Sequence, residues 1–386
     1  MTTKSNTRKT ILLVTTSRSD FATLRPLLLM LKKDKQLRPL LFVTGDHFSK
    51  KAGETYKQIK ASGIAIDAAY RVKQTQPALM VGEVVTAVAK LLKKESVSYA
   101  LVCGDRKETF AAAIACALSQ VPLFHIHGGD VSYGMVDDAM RHATTKLSAV
   151  HFPASPLSAR RLKQMGEESW RVYMTGSPDV DDLSGPLPER ETLKALGLKK
   201  KEYALLLLNP ETLLDVSGNK ALAHAACQAL KRTYKGKVVV VYPNNDPSSG
   251  GIRSVYEGLR GGQFVICKAG LPRKEYLAVL KNAEFLAGNS SSGITEAATF
   301  RTPVINMGRR QDGREQSKNV LNVKAQVRAI ETAIVHSQSA SFQRSLKNVK
   351  NVYGMGSATQ KIYKAMQTVM SRYDTRALLY KKFQLR

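Results

Sequence analysis

A chain of 386 residues, 43% hydrophobic, is too long for one compact core, and its ordinary globular mixture leads us to expect two α/β domains. The formal charge of +28 comes without a repeated basic tail or a basic stripe interleaved with aromatics. Nucleic-acid binding is therefore not expected, and solubility, membrane attraction or steering of an anionic substrate accounts for the excess.

ILLVTT (11–16) is predicted as a buried strand, ending in a polar turn at 17–20 and followed by an apolar helix through Leu31. PLLFVTG (39–45) is a second strand, with a helix over 52–62. A helix over 81–94 leads to the strand YALVCG (99–104), a small-residue helix over 111–119 and the strand VPLFHI (121–126). AVHFPA and WRVYMTG are predicted as further strands. DDLSGPLPER (181–190) is rich in Pro, Gly and charge and marks a domain boundary. The pattern then restarts with the strand ALLLLN (204–209), a helix over 220–233, and the strands KVVVVYPN, FVICKA, EFLAGNS and TPVINMG. A last helix is predicted over 359–373. The expected division is 1–185, 186–365 and a C-terminal helical extension, 366–386. Short apolar strands alternating with helices predict parallel sheets covered on both faces, with ligands at the carboxyl ends of the strands.

Cys103, Cys116, Cys227 and Cys267 show no C-x-x-C spacing and are expected as buried free thiols. The polar start MTTKSNTRKT does not make a signal peptide, and no run approaches roughly 18 apolar residues. A cytoplasmic protein without a transmembrane span is the expectation.

GNSSSGITE (288–296) follows an apolar segment and enters an Ala-rich helical stretch. Free amides and hydroxyls at such a turn suit phosphate, which makes Ser290 and Ser291 phosphate candidates and Glu296 a ribose acceptor. A serine cap on an ordinary helix is the plainer alternative. Arg18, after the first strand, and Arg309, Arg310 and Arg314, after a later one, could meet an anionic ligand. Acid–base chemistry is densest at Gly104-Asp105-Arg106, at HIHGGD (125–130), and at Asp137-Asp138 and Arg141-His142. Strand alternation predicts His125 and His127 on one face, while Gly128-Gly129 would allow close approach to a sugar or pyrophosphate. A metal held by His125, His127, Asp130 and His142 is a rival reading, but the spacing matches no closed zinc pattern, and no metal is expected. His125 and His151 suit structural roles; His47 could touch ligand or solvent. Dehydrogenase G-x-G-x-x-G, P-loop and G-x-S-x-G signatures are missing at the places their chemistry needs.

Several stretches resemble the hydrolysing UDP-N-acetylglucosamine 2-epimerases of sialic-acid and related nonulosonic-acid synthesis, across almost the whole chain. They are VTTSRSDFATLRPLL, GDHFSKKAGETYKQI, GDRKETFAAAIACAL, HIHGGDVSYGMVDDAMRHATTKLSAVHF, TGSPDVD, YPNND and GNSSSGITEAATFRTPVINMGRRQDGREQSKNVLNV. The resemblance implies two Rossmann-like parallel-sheet domains in a GT-B-like arrangement with the active site between them, a homodimer or homotetramer, and no cofactor. It places nucleotide contacts on Arg18, Ser19, Arg106, Ser290, Ser291, Glu296 and Arg310. It places chemistry on Asp105, His127 and Asp137, with Asp130, His142 and Asp181 near them.

The implied reaction eliminates UDP across C1–C2 and hydrates the resulting 2-acetamidoglucal with inversion at C2. The products are UDP and an N-acetylmannosamine-type sugar. Asp105 or Asp137 is the base, and His127 moves a proton or positions the sugar. Animal members carry glutamate at the position of His127, whereas bacterial relatives commonly have HIHGG. Where members usually carry a histidine before the proline of LLLNPETLL, this chain has Asn209, which cannot shuttle a proton near neutral pH. UDP-N-acetylglucosamine is the first substrate expected, and a UDP-2,4-diacetamido-2,4,6-trideoxy sugar is the alternative. A non-enzymatic nucleotide-sugar-binding protein is a third reading, motivated by Asn209.

Overall fold

The computed structural model describes residues 8–50, 53–133, 136–211, 214–243, 248–259, 262–267 and 270–384. The YPNND stretch beyond Pro243, the end of FVICKA and the expected helix start at Ala52 lie outside them. The chain forms two compact units. One comprises Met1–Val131, Met135–Asp181 and Gly356–Arg386; the other comprises Ser132–Gly134 and Asp182–Met355.

The first unit holds β1 (Lys9–Thr15), β2 (Leu37–Val43), β3 (Ala68–Ala69), β4 (Val97–Cys103), β5 (Leu123–Ile126) and β6 (Val150–Phe152). Their order is β3-β2-β1-β4-β5-β6, with every pairing parallel. Alternation within the strands divides the side chains between two cores. Ile11, Leu13, Leu41, Val43, Leu101 and Cys103 enter one, while Leu12, Val14, Leu40, Phe42, Ala100 and Val102 enter the other. A strand buried on both faces must be apolar at every position, which is why these runs read as unbroken hydrophobic segments.

The second unit repeats the plan. Strands β7 (Tyr203–Leu207), β8 (Lys237–Val241), β9 (Phe264–Cys267), β10 (Leu286–Gly288), β11 (Val304–Met307) and β12 (Val320–Val323) run β12-β11-β10-β7-β8-β9, again all parallel. Both units are Rossmann-like, as the strand–helix alternation leads one to expect. In each, winding reverses beside the unit's first strand, between β1 and β4 and between β7 and β10. Loops leaving the carboxyl ends of such a pair diverge and open a place for a ligand.

Two segments depart from the expected structure. WRVYMTG is not a strand: Ser169–Arg171 forms a 3₁₀ turn, and only Val172 makes an isolated bridge, to His151. Arg171 is wholly buried and donates to Glu168 and to the carbonyls of Ala149, Ala377, Leu378 and Tyr380, so the segment ties down the chain terminus instead of extending the sheet. The expected boundary at residue 366 falls inside one continuous helix, Ala358–Arg372. That helix buries Ile362, Met366 and Val369 in the first unit's core, at about 1.5–3 kcal/mol per large apolar side chain. A division there would cut through a single amphipathic face. The edge strands β3, only two residues long, and β12, four residues long, are not among the predicted elements.

All four cysteines are free and buried, and burial pushes Cys116 and Cys227 up to about 12. Among the described residues, no helix is long and apolar enough to cross a membrane.

Candidate active site

At the switch point of the first sheet, Ser17 caps the helix Arg18–Lys33 in a capping box with Asp20. The buried Asp20 carboxylate accepts from Thr15 Oγ1 and from the amides and hydroxyls of Thr16 and Ser17. That network fixes the turn and leaves Arg18 and Ser19 exposed at the first helical positions, where amides and positive charge suit an anion.

Across from it, Gly104 at φ 78° ends β4, and Arg106 sits at the N-cap of the helix Lys107–Leu118. Arg106 is not a free surface charge. Its Nη2 lies 2.6 Å from Asp46 and its Nε 3.5 Å from the buried Glu108. Burial alone would lower its pKa, but Glu108 and Asp46 raise it. Gly45 passes so close that a Cβ there would stand 2.8 Å from the Thr16 carbonyl, so the loops after β1, β2 and β4 form one packed rim.

HIHGGD separates into distinct roles. His125 is wholly buried, its Nε2 2.8 Å from the Gly104 carbonyl, and burial pushes its pKa down to about 3. His127 lies past the end of β5 at φ 65°, in the left-handed region, so strand alternation does not carry through to it and the shared face expected for the pair is corrected. It turns to Ser177, 3.1 Å away, with Asp179 at 3.9 Å. The glycines also differ from expectation. A Cβ on Gly129 would collide with the Ser158 carbonyl, and one on Gly128 would lie 2.9 Å from His125 Nδ1. Their smallness serves contact within the protein.

Asp130 accepts from Ser158 Oγ. His47 is buried between Thr15 and Thr55, 2.9 and 2.8 Å away, which removes the solvent-facing alternative. Asp181 accepts from the amides of Ala358 and Thr359, both at 2.7 Å. Both carboxylate oxygens therefore cap the helix Ala358–Arg372, a structural duty where a sugar contact was expected.

The helix Val136–Leu147 carries Asp137 and Arg141 four residues apart, hence on one face. Arg141 is buried and donates to the Asp105 carboxylate. Asp137 is partly buried and has no hydrogen-bond or ion-pair partner among the described residues. His142 faces Asp138 at 3.6 Å. The four side chains of the rival metal reading are thus each engaged elsewhere. Among the described residues no group of three or more His, Cys, Asp or Glu is placed to hold a metal ion.

At the second unit's switch point, Asn289 ties the two loops together. Its Oδ1 accepts from the Asn209 amide at 2.7 Å, and its Nδ2 donates to the Asn209 carbonyl at 2.8 Å. The Asn289 carbonyl accepts from Arg310 Nη1 at 3.2 Å and Gln311 Nε2 at 2.8 Å. Glu211 accepts from the amides of Arg309 and Arg310, so the segment after β7 also anchors the loop after β11. Ser290 caps the short helix Ser291–Thr295, as the plainer alternative had it. Its hydroxyl is engaged with Ser292, while Ser291 stays partly exposed. Glu296 accepts from Arg273 at 2.6 Å. Arg309 is exposed and pairs with Asp312 at 3.1 Å.

Sequence reasoning missed Asp179, Ser177, Asn289, Glu211 and Arg273. Each acts through a partner distant in sequence, and only the proximity of Asp179 to Asp181 in TGSPDVD hinted at one of them.

Comparison with known proteins identifies the family. The family model described as UDP-N-acetylglucosamine 2-epimerase matches residues 29–367. The chain is 31% identical to a UDP-N-acetylglucosamine 2-epimerase of Neisseria meningitidis serogroup B, covering 84% of this chain and 86% of that protein. It is also 31% identical to a hydrolyzing UDP-N,N'-diacetylbacillosamine 2-epimerase of Legionella pneumophila, covering 93% and 96%. The crystal structure of a Neisseria meningitidis UDP-GlcNAc 2-epimerase bound to UDP-GlcNAc shares the fold, with a TM-score of 0.80 at 18% identity over 93% of this chain and all of that one. The chain belongs to the UDP-N-acetylglucosamine 2-epimerase family and is an enzyme of its hydrolysing, UDP-amino-sugar type.

Proposed function

We propose that the substrate is a UDP-linked 2,4-diacetamido-2,4,6-trideoxy sugar and that the products are UDP and the free sugar inverted at C2. The observation that carries this choice is the Legionella relative, which matches at the same identity as the N-acetylglucosamine enzyme but over nearly the full length of both chains. UDP-N-acetylglucosamine is the second reading, supported by the Neisseria relative.

In this reading a base removes the C2 proton. The C1–O bond breaks, and UDP leaves with its electron pair. Water then returns hydroxide to C1 and a proton to the opposite face of C2. Asp137 suits the base, because its carboxylate is unengaged among the described residues while Asp105 is bound to Arg141. Asp105 with Arg141 holds the sugar, and His127, backed by Ser177 and Asp179, handles the second proton. His142 and Asp130 border these groups. Arg18, Ser19, Arg106, Ser291, Arg310 and Glu296 serve the nucleotide, where positive charge and amides stabilise the departing diphosphate. Asn209 offers an amide in place of a proton-shuttling ring, so the proton relay belongs to the first unit.

The test is turnover of both UDP-sugars in deuterated water, with free UDP and product followed by NMR. The expected result is stoichiometric UDP, a product deuterated at C2, and kcat/KM at least about 10-fold higher for the diacetamido substrate. Equal or faster turnover of UDP-N-acetylglucosamine refutes the substrate choice, and an intact epimeric UDP-sugar as the product refutes hydrolysis.

A further inference from the structure

The helix bearing Asp137, Arg141 and His142 ends at Leu147, and its final carbonyls have no partner within the helix. A side chain from the far end of the chain supplies one. Lys381 Nζ donates to the carbonyls of Ser148 at 2.7 Å, Lys146 at 3.1 Å and Thr145 at 3.3 Å. Its positive charge also sits at the negative end of the helix dipole. Glu167 holds the ammonium there: its wholly buried carboxylate lies 2.7 Å from Lys381, 2.7 Å from Lys146 and 2.9 Å from His151 Nε2.

The segment carrying Lys381 is itself fastened at several points. Arg171 donates to the carbonyls of Ala377, Leu378 and Tyr380, and Glu168 accepts from the Lys382 amide. The Gln384 amide donates to the Gly166 carbonyl at 3.1 Å. Phe383 lies so close to Gly166 that a Cβ there would stand 2.7 Å from its ring. None of these groups touches Asp105, His127 or Asp137.

We infer that the C-terminal strap is a positioning device for the reaction, in which Lys381, locked by Glu167, fixes the end of the helix that sets Arg141 against Asp105. An α-helix is a stiff rod rising about 1.5 Å per residue, so a shift at Lys146 is passed to Arg141 little more than one turn away. Displacements near 1 Å at reacting groups cost up to ~100-fold in rate. Lys381 is thus a positioning residue that acts through the helix and touches no substrate. This role rests on the site proposed above.

The test compares full-length wild type with K381M, K381R and the control K382M, whose exposed side chain takes no part in the clamp. The expected result is a fall in kcat of ~10- to 100-fold for K381M, with KM and UDP affinity within about twofold, recovery of most of the loss in K381R, and wild-type kinetics in K382M. Unchanged kcat in K381M overturns the inference. So does a parallel loss of kcat and UDP affinity, which marks general damage to the fold. If the wild type releases no UDP from any sugar, the functional reading has failed on its own. The strap is then judged by amide hydrogen exchange, where unchanged protection over residues 136–147 in K381M overturns it.

Discussion

Glu167→Gln tests how the buried charge cluster supports the first unit. The wild-type carboxylate is wholly buried and receives two ammonium groups at 2.7 Å and an imidazole nitrogen at 2.9 Å. Burial alone would raise its pKa, but the His151 hydrogen bond and the neighbouring lysines hold it down from the ordinary 4.5 to about 2. A fall of this size corresponds to about 3 kcal/mol of stability at neutral pH. Removing one member of a buried ion pair independently suggests about 3–5 kcal/mol.

Because the folded pKa is depressed, this contribution is fully present above about pH 4.5 and is lost as pH falls through the folded value. The advantage of wild type over E167Q should be about 3 kcal/mol at pH 7 and shrink to about 2 kcal/mol at pH 3.5. The chain's single tryptophan is the probe. Trp170 lies in the first unit, stacked on Tyr373 with ring centroids 4.2 Å apart, so its fluorescence during urea unfolding reports that unit. A difference below about 1 kcal/mol at pH 7, or one that grows on acidification, refutes the reasoning.

Three further outcomes follow from named contacts. Asp181→Ala should cost about 1–2 kcal/mol by uncapping the helix Ala358–Arg372 while leaving UDP affinity within about twofold; a large loss of UDP affinity in calorimetry would restore its sugar- or nucleotide-side role. Asn289→Ala removes both hydrogen bonds to the Asn209 backbone, so about 2–3 kcal/mol of stability and at least about 10-fold in UDP affinity should be lost together, measured by denaturation and calorimetry. Gly288→Ala should yield no folded second unit, because at φ 144° its Cβ would collide with the Leu207 carbonyl; a soluble variant with native circular dichroism would contradict this.

The legible part of the fold was local. ILLVTT and YALVCG announced central strands because burial on both faces requires every residue to be apolar, and Ser17 with Asp20 carried the chemistry of a helix cap in adjacent positions. GNSSSG was readable as a tight turn for the same reason. WRVYMTG misled because its alternating apolar residues satisfy a strand pattern, while the decisive fact, a buried Arg171 gripping carbonyls at 377–380, lies about 200 residues away. His127 misled because its left-handed backbone depends on what surrounds the turn after β5, which period-2 alternation cannot express.

The succession of strands and helices, the restart after residue 190 and the residue types gathered at strand ends are legible along the chain, since period and turn chemistry are written in neighbouring positions. How the carboxylates are employed depends instead on three-dimensional packing. Asp105 goes to Arg141, Asp181 to a helix start, Glu296 to Arg273 and Glu167 to a lysine near the chain terminus. A charge takes its role from whatever is desolvated beside it, and that neighbour is chosen by the packing of the sheets and helices, not by distance along the chain.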